Sequence, residues 1–175
     1  MTTIAERVRR AIRDVPDFPA PGIVFRDITP VLADPALMRD VIDAMAEPVA
    51  DAMITHVVGI ESRGFLFGVP IALRLGAAFV PVRKPGKLPW TTVSEPYTLE
   101  YRTDVLEMHA DALTGDARVL IVDDVLATGG TAAAACRLVE RVGGTVAAVG
   151  VVVELAFLSG RAQLPGRIVF SIARY

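Results

Sequence analysis

An apolar run, Val119-Leu120-Ile121-Val122, ends in two adjacent acids, Asp123 and Asp124. It continues through Val125-Leu126-Ala127-Thr128-Gly129-Gly130 into Thr131 and an alanine-rich stretch. This segment constrains the fold more than any other. A short apolar run bounded by charge and glycine suits a parallel strand covered on both faces. The acids then fall at the C-terminal end of the strand, where open α/β sheets bind their ligands. Ala127 to Thr131 carries no bulky side chain, so a phosphate can approach the backbone N–H groups that open the following helix. Thr128 and Thr131 add hydroxyl donors. A phosphate cradle beside two acids suits a ligand carrying both a phosphate and vicinal hydroxyls, of which a phosphorylated ribose is the simplest. Paired acids after a strand also occur in Walker B segments, but that reading requires an upstream G-x-x-x-x-G-K-[ST], which this chain lacks.

The rest of the chain fits an α/β rhythm. Thr3-Ile4-Ala5-Glu6 matches a capping box, and Ile4, Val8, Ala11, Ile12 and Val15 follow at helical spacing, predicting a helix that ends before Pro16. Asp34-Pro35 predicts a second helix start, with Leu37, Met38, Val41, Ile42 and Met45 as its apolar face. Strands are then expected at 57–60, 77–82, 118–124, 145–154 and, at an edge, 168–172, with helices over 64–75 and 131–142. This succession implies a central, mostly parallel sheet flanked by helices. Two stretches break the rhythm: residues 14–30, rich in proline, and residues 83–109, a Lys/Gly/Pro segment followed by polar, alternating sequence. Both are expected to be irregular and functional. The 175 residues suit a single domain spanning 1–175.

Composition narrows the function classes. A net charge of −2 and a pI near 5.7 argue against a dedicated nucleic-acid binder. The most apolar segment, Val146 to Val153, is too short to span a bilayer, and the charged N-terminus lacks the apolar stretch of a signal peptide. One cysteine, Cys136, cannot form an internal disulfide and reads as a small core residue, which makes a reducing cytoplasm the expected compartment. The mean hydropathy of +0.47 is high for this size; a buried sheet explains part of it, and a subunit interface would explain the rest.

Two further segments follow strands on the rim that holds Asp123. Glu61-Ser62-Arg63-Gly64 places a guanidinium there, and the planar fork of Arg63 can bind two pyrophosphate oxygens at once. Phe65 and Phe67 read as core. Arg83-Lys84-Pro85-Gly86-Lys87 brings three cations around a stiff turn, with Lys84 the candidate for pyrophosphate and Arg83 and Lys87 as further contacts. His56 and His109 have no partner at ligand spacing and are assigned no role.

The Asp123–Thr131 run resembles the signature of the type I phosphoribosyltransferases, which bind 5-phosphoribosyl-1-pyrophosphate (PRPP). Together with Phe25-Arg26-Asp27-Ile28-Thr29-Pro30, Ser62-Arg63-Gly64-Phe65-Leu66-Phe67-Gly68, Arg83-Lys84-Pro85-Gly86-Lys87-Leu88-Pro89 and Tyr97-Thr98-Leu99-Glu100-Tyr101, it is similar in order and spacing to the adenine phosphoribosyltransferases over roughly residues 15 to 175. The resemblance implies the type I phosphoribosyltransferase fold, with an N-terminal hood at about 14–30 and a flexible catalytic loop at about 83–109. It implies transfer of the phosphoribosyl group from PRPP to adenine, giving AMP and pyrophosphate in purine salvage, with Mg²⁺ held mainly through PRPP and no direct protein ligand assigned. Val24, Phe25 and Arg26 would meet adenine. Asp123, Asp124, Ala127, Thr128, Gly129, Gly130 and Thr131, with Arg63 and Lys84, would bind PRPP. Glu100, Arg63 and Lys84 would be catalytic, with Tyr101, Arg83 and Lys87 as loop contacts. A homodimer is also implied, in which Arg83 could approach the partner's pyrophosphate site. Arg102 departs from the small residue that often follows the Glu-Tyr pair.

Rival readings keep the same PRPP machinery but change its use. Another base (hypoxanthine or guanine, xanthine, orotate) would need a different hood. A non-catalytic PRPP-sensing regulator would need a DNA-binding domain or a basic face, and neither length nor charge leaves room for one.

Overall fold

The computed structural model describes residues 2–99 and 102–175. Helix α1, Ile4–Ala11, begins with the expected reciprocal cap: the Glu6 N–H donates to Thr3 Oγ1 at 3.2 Å, and the Thr3 N–H donates to Glu6 Oε2 at 2.8 Å. The helix stops at Ala11 rather than running toward Pro16, which corrects the sequence expectation. Residues Arg13–Pro16 instead form strand β1, antiparallel to β2, Val24–Asp27. Val15, assigned by spacing to the helix, precedes a proline and is thereby biased toward extended backbone, and pairing with Phe25 holds it there.

Helix α2 spans Thr29–Ala33 and α3 spans Pro35–Ala46. Asp34 caps α3 as expected, its Oδ1 accepting from the N–H groups of Ala36 at 2.9 Å and Leu37 at 3.0 Å. Strand β3, His56–Ile60, leads into α4, Arg63–Leu75, and α4 ends at Gly76 in the left-handed conformation before β4, Ala78–Val82. Strands β5, Thr92–Leu99, and β6, Arg102–His109, come next, then β7, Arg118–Leu126, and α5, Gly130–Arg141. Strands β8, Thr145–Glu154, and β9, Val169–Arg174, complete the chain.

Five strands form a parallel sheet in the order β4-β3-β7-β8-β9, with β7 at its centre. Period-2 alternation divides the core between its faces. Val119 and Ile121 pack with Ala134, Leu138 and Val139 of α5. Leu120 and Val122 pack with Val8, Val41, Met45, Phe67 and Ile71 from α1, α3 and α4. Phe67 is fully buried, as its core reading anticipated, whereas Phe65 is only half-buried and meets Phe79 edge-on at 5.8 Å.

Among its described residues, the stretch 83–109 is irregular, as expected, only over residues 84–91. Strands β5 and β6 form an antiparallel ribbon in register from Thr92↔His109 to Leu99↔Arg102. Its alternating sequence belongs to a half-buried ribbon: Tyr97, Leu106 and Met108 join the core on the α5 side, and the buried Glu95 pairs with Arg137 and Arg141 of α5, both at 2.5 Å.

Candidate active site

A cavity of about 600 Å³ opens at the C-terminal ends of β3 and β7, where ligands of parallel sheets bind. Its wall gathers residues far apart in sequence: Val24, Phe25 and Arg26 from β2, Arg63 from α4, Lys84 just after β4, Asp123 and Asp124 from β7, Ala127 from the turn after it and Thr131 from the first turn of α5.

The acids lie inside β7 rather than at its end, because pairing with β8 continues through Val125↔Val153 and Leu126↔Glu154. Strict alternation would turn adjacent side chains to opposite faces. The alternation shifts here: Val125 packs with the α4 side and Leu126 with the α5 side, and both acids reach the same cavity. Asp124 is buried, and Arg63 Nε stands 2.7 Å from its Oδ2. The Asp124 N–H donates to Asp123 Oδ1 at 2.9 Å. Burial drives the Asp123 carboxyl well above its ordinary range, and the neighbouring Asp124 charge adds to the effect. Burial also raises Asp124, with Arg63 working in the opposite direction. Two desolvated carboxyls with spare oxygen acceptors suit the hydroxyls of a sugar.

The turn beyond them opens α5. Gly129 sits at φ +87° as the N-cap, a conformation that favours glycine, and no side chain caps the helix. The first N–H groups of α5 therefore lack a side-chain partner and carry the positive end of the helix dipole, the arrangement an anion uses. Ala127 and Thr131 reach the cavity wall, with Thr128 and Gly129 in the turn between them and Gly130 opening α5.

The opposite side is cationic. Lys84 Nζ donates to Tyr97 Oη at 2.7 Å and is paired with Asp104 of β6. Burial opposes the Lys84 charge, but the Asp104 carboxylate and the Tyr97 hydroxyl outweigh it and hold the ammonium above its ordinary value. Glu61 is the hub beside it, accepting from Arg83 Nε at 3.2 Å, from the Lys84 N–H at 3.0 Å and from Lys87 Nζ. Burial would raise the Glu61 carboxyl, yet Lys87, the Lys84 amide and Arg83 together bring it down to about 2. Arg83 and Lys87 are thus tied to Glu61 and do not line the cavity, which sets them apart from Lys84.

The hood side is apolar. Val24 and Ile23 remain about half exposed on the cavity wall. Phe25 packs edge-on to Phe18 at 5.2 Å, with the Arg63 guanidinium 5.4 Å from its ring centroid. Arg26 pairs with Asp14 and lies over the Tyr175 ring at 4.5 Å. A flat, aromatic ligand fits this side.

Residues 27–168 match the phosphoribosyl transferase domain family. Adenine phosphoribosyltransferase from Thermobifida fusca is 55% identical over 163 residues, covering 93% of each chain. The chain belongs to the adenine phosphoribosyltransferase family. The crystal structure of the family member from Rhodothermus marinus has 54% sequence identity and a TM-score of 0.94, covering 98% of both chains. A Saccharomyces cerevisiae adenine phosphoribosyltransferase, solved in complex with an imino-altritol bisphosphate and adenine, has 42% identity and a TM-score of 0.92 over 97% of this chain and 98% of that one. The parallel sheet and its helices are those of the type I phosphoribosyltransferase fold.

Several wall residues of this cavity carry little or no signal in the sequence. Glu61 stands beside Arg63 in sequence, but only the fold brings Arg83 and Lys87 to it. Tyr97 stood in the alternating stretch, whose period of two marked it as a strand residue. Leu155 and Val125 carry no signal, because only the sheet brings them to the wall. Glu100 and Tyr101 lie outside the described residues. Among the described residues no group of three or more His, Cys, Asp or Glu side chains is placed to hold a metal. Of the wall acids, Glu61 is occupied by cations, leaving Asp123 and Asp124. That donor set fits a divalent ion carried mainly by substrate phosphates and hydroxyls.

Proposed function

We propose that this chain transfers the 5-phosphoribosyl group of PRPP to adenine, releasing pyrophosphate and forming AMP for purine salvage. One observation carries the reading: a single cavity joins an apolar hood, a cation pair, an acid pair and an uncapped helix N-terminus. Each matches one part of the two substrates. A purine nitrogen forms the new bond to ribose C1 as the bond from C1 to the pyrophosphate oxygen breaks; the purine proton departs and pyrophosphate carries away the electron pair.

Arg63 and Lys84 stabilise the charge that grows on the leaving group. Asp123 and Asp124 hold the ribose hydroxyls and so set C1 in line with the base. The amides from Ala127 to Thr131, with the hydroxyls of Thr128 and Thr131, anchor the 5′-phosphate, remote binding that positions the reacting centre. Val24, Phe25 and Arg26 form the adenine face. Mg²⁺ held mainly through PRPP would supply further charge neutralisation at the pyrophosphate, with Asp123 and Asp124 the wall acids free to accommodate it. Glu100 handles the purine proton or steadies the ribosyl cation, with Tyr101 next to it in sequence. The segment of about 83–109 acts as the closing loop, the hood covers about 14–30, and both belong to one domain.

The chain works as a homodimer in the cytoplasm. Leu66, Val69 and Leu73 of α4 present an apolar stripe to solvent, with Leu73 79% exposed, and a second copy would cover it. No described helix is long and apolar enough to cross a membrane. The test is turnover with PRPP, Mg²⁺ and each base in turn. Adenine should be consumed far faster than hypoxanthine or guanine, because a site that hydrogen-bonds an amine leaves its own groups unpaired against a carbonyl. Comparable rates with guanine would remove the adenine assignment while keeping the PRPP site.

A further inference from the structure

The turn that opens α5 is locked against a second backbone segment. A Cβ at Gly129 would stand 2.2 Å from the carbonyl oxygen of Gly160, and a Cβ at Gly160 would stand 2.2 Å from that of Ala127. The two segments therefore touch backbone to backbone. Gly160 begins a short 3-10 turn, Gly160–Gln163, whose next residue is Arg161. Arg161 donates from Nε and Nη2 to Glu154 Oε1 and Oε2, both at 2.8 Å, and from Nη1 to the Val169 carbonyl at 2.7 Å. Ser171 Oγ donates to the same carboxylate at 2.8 Å, and Arg174 Nε lies 3.6 Å away. Glu154 is only 3% exposed, and it closes β8 opposite Leu126, directly before the turn.

The geometry points to Glu154 and Arg161 as positioning residues for the ribose-phosphate half of the site: their fork holds residues 160–163 against residues 127–129 and fixes the amides that open α5. This rests on reading that turn as the 5′-phosphate cradle. Neither residue lines the cavity. Their effect on the ligand is carried by the Gly160 contact. A planar guanidinium bound by two parallel hydrogen bonds resists rotation, which a single ammonium contact does not. Amides held in place before the anion arrives need no reorganisation when it binds, and small misplacements of such groups are costly.

Glu154→Gln and Arg161→Lys test this with ribose 5-phosphate and AMP as probes. Glu154→Gln leaves no buried charge behind, and Arg161→Lys keeps the charge while losing the fork. Both should raise the Kd for ribose 5-phosphate and AMP, and the KM for PRPP, by on the order of tenfold. The KM for adenine should stay within about twofold, a split that general destabilisation would not produce. Ser171→Ala removes one neutral hydrogen bond from the same carboxylate and is mild enough to fold if the others do not. It should move the same constants in the same direction by roughly two- to fivefold. Thr131→Ala separates the two readings. If it weakens ribose 5-phosphate binding while the Glu154, Arg161 and Ser171 variants behave as the parent, the positioning role is overturned and the cradle stands. If Thr131→Ala also binds as the parent does, the cradle reading fails and takes the positioning role with it.

Discussion

Gly64 and Asp123 meet where the start of α4 crosses β7. A Cβ at residue 64 would lie 3.1 Å from Asp123 Oδ1 and 2.8 Å from the Val122 carbonyl oxygen. The glycine lets the helix start press against the acid, which is how Arg63, one residue earlier, comes to face Asp124 across 2.7 Å. Gly64→Ala should therefore push α4 away from β7 and carry Arg63 with it. Overpacking of this kind costs about 1–3 kcal/mol. For a chain of this length that lowers Tm by roughly 2–4 °C per kcal/mol. Thermal unfolding and the KM for PRPP should change together; a variant with parent Tm and parent KM would show that the contact is slack.

Glu61 gives a prediction in pH. Its carboxyl falls from an ordinary 4.5 to about 2 in the folded chain. A depressed acid contributes stability that is fully present above its unfolded value and is lost as pH falls through the folded one. The parent should lose this contribution between about pH 4.5 and 2, and Glu61→Gln should not. Urea midpoints measured from pH 6 downward should converge for the two proteins as acid is added, with the parent more stable at the upper end. A constant gap across the range would mean that Lys87, Arg83 and the Lys84 amide do not depress this carboxyl.

Much of this site was legible because its signals are local. Asp34-Pro35, the Thr3–Glu6 box and the Val119–Val122 run each declare their structure within a few residues, and the structure keeps them. The errors arose where long-range pairing decides. Nothing near Val15 announces that Phe25 will pair with it, so helical spacing prevailed on paper and β1 prevailed in the chain. The 92–109 segment shows period-2 alternation, yet its polar surface concealed the core contacts of Tyr97, Leu106 and Met108, which exist only once α5 is beside them. Arg83, Lys84 and Lys87 look equivalent in sequence. Glu61 separates them by holding two and leaving the third to the cavity.

Glu100 follows directly on β5, whose Tyr97 lines the cavity. If its carboxylate acts on the purine proton or on the ribosyl cation, its role is confined to the reacting complex. Glu100→Gln should then lower kcat by on the order of a hundredfold or more, while the Kd for PRPP stays within about threefold. Single-turnover rates and PRPP titration measure the two separately. A parent-like kcat would remove Glu100 from the chemistry.

The last prediction concerns assembly. Leu66, Val69 and Leu73 fall at helical spacing on one side of α4, opposite Phe67 and Ile71, which pack into the core. An apolar stripe on the outer side of a helix whose inner side is already packed has no role within one chain. The high mean hydropathy of +0.47 is consistent with surface of this kind being buried between copies. A two-fold pairing brings the same stripe from each copy together. A carboxylate placed at the most exposed of the three residues would have to be desolvated against its own counterpart, which is strongly unfavourable. Light scattering at micromolar concentration should report twice the 18.7 kDa chain mass for the parent and the single chain mass for Leu73→Glu. Because Leu73 is 79% exposed within one chain, its replacement should leave the monomer folded, as circular dichroism would record. A Leu73→Glu protein that still scatters as a dimer would move the interface to another face.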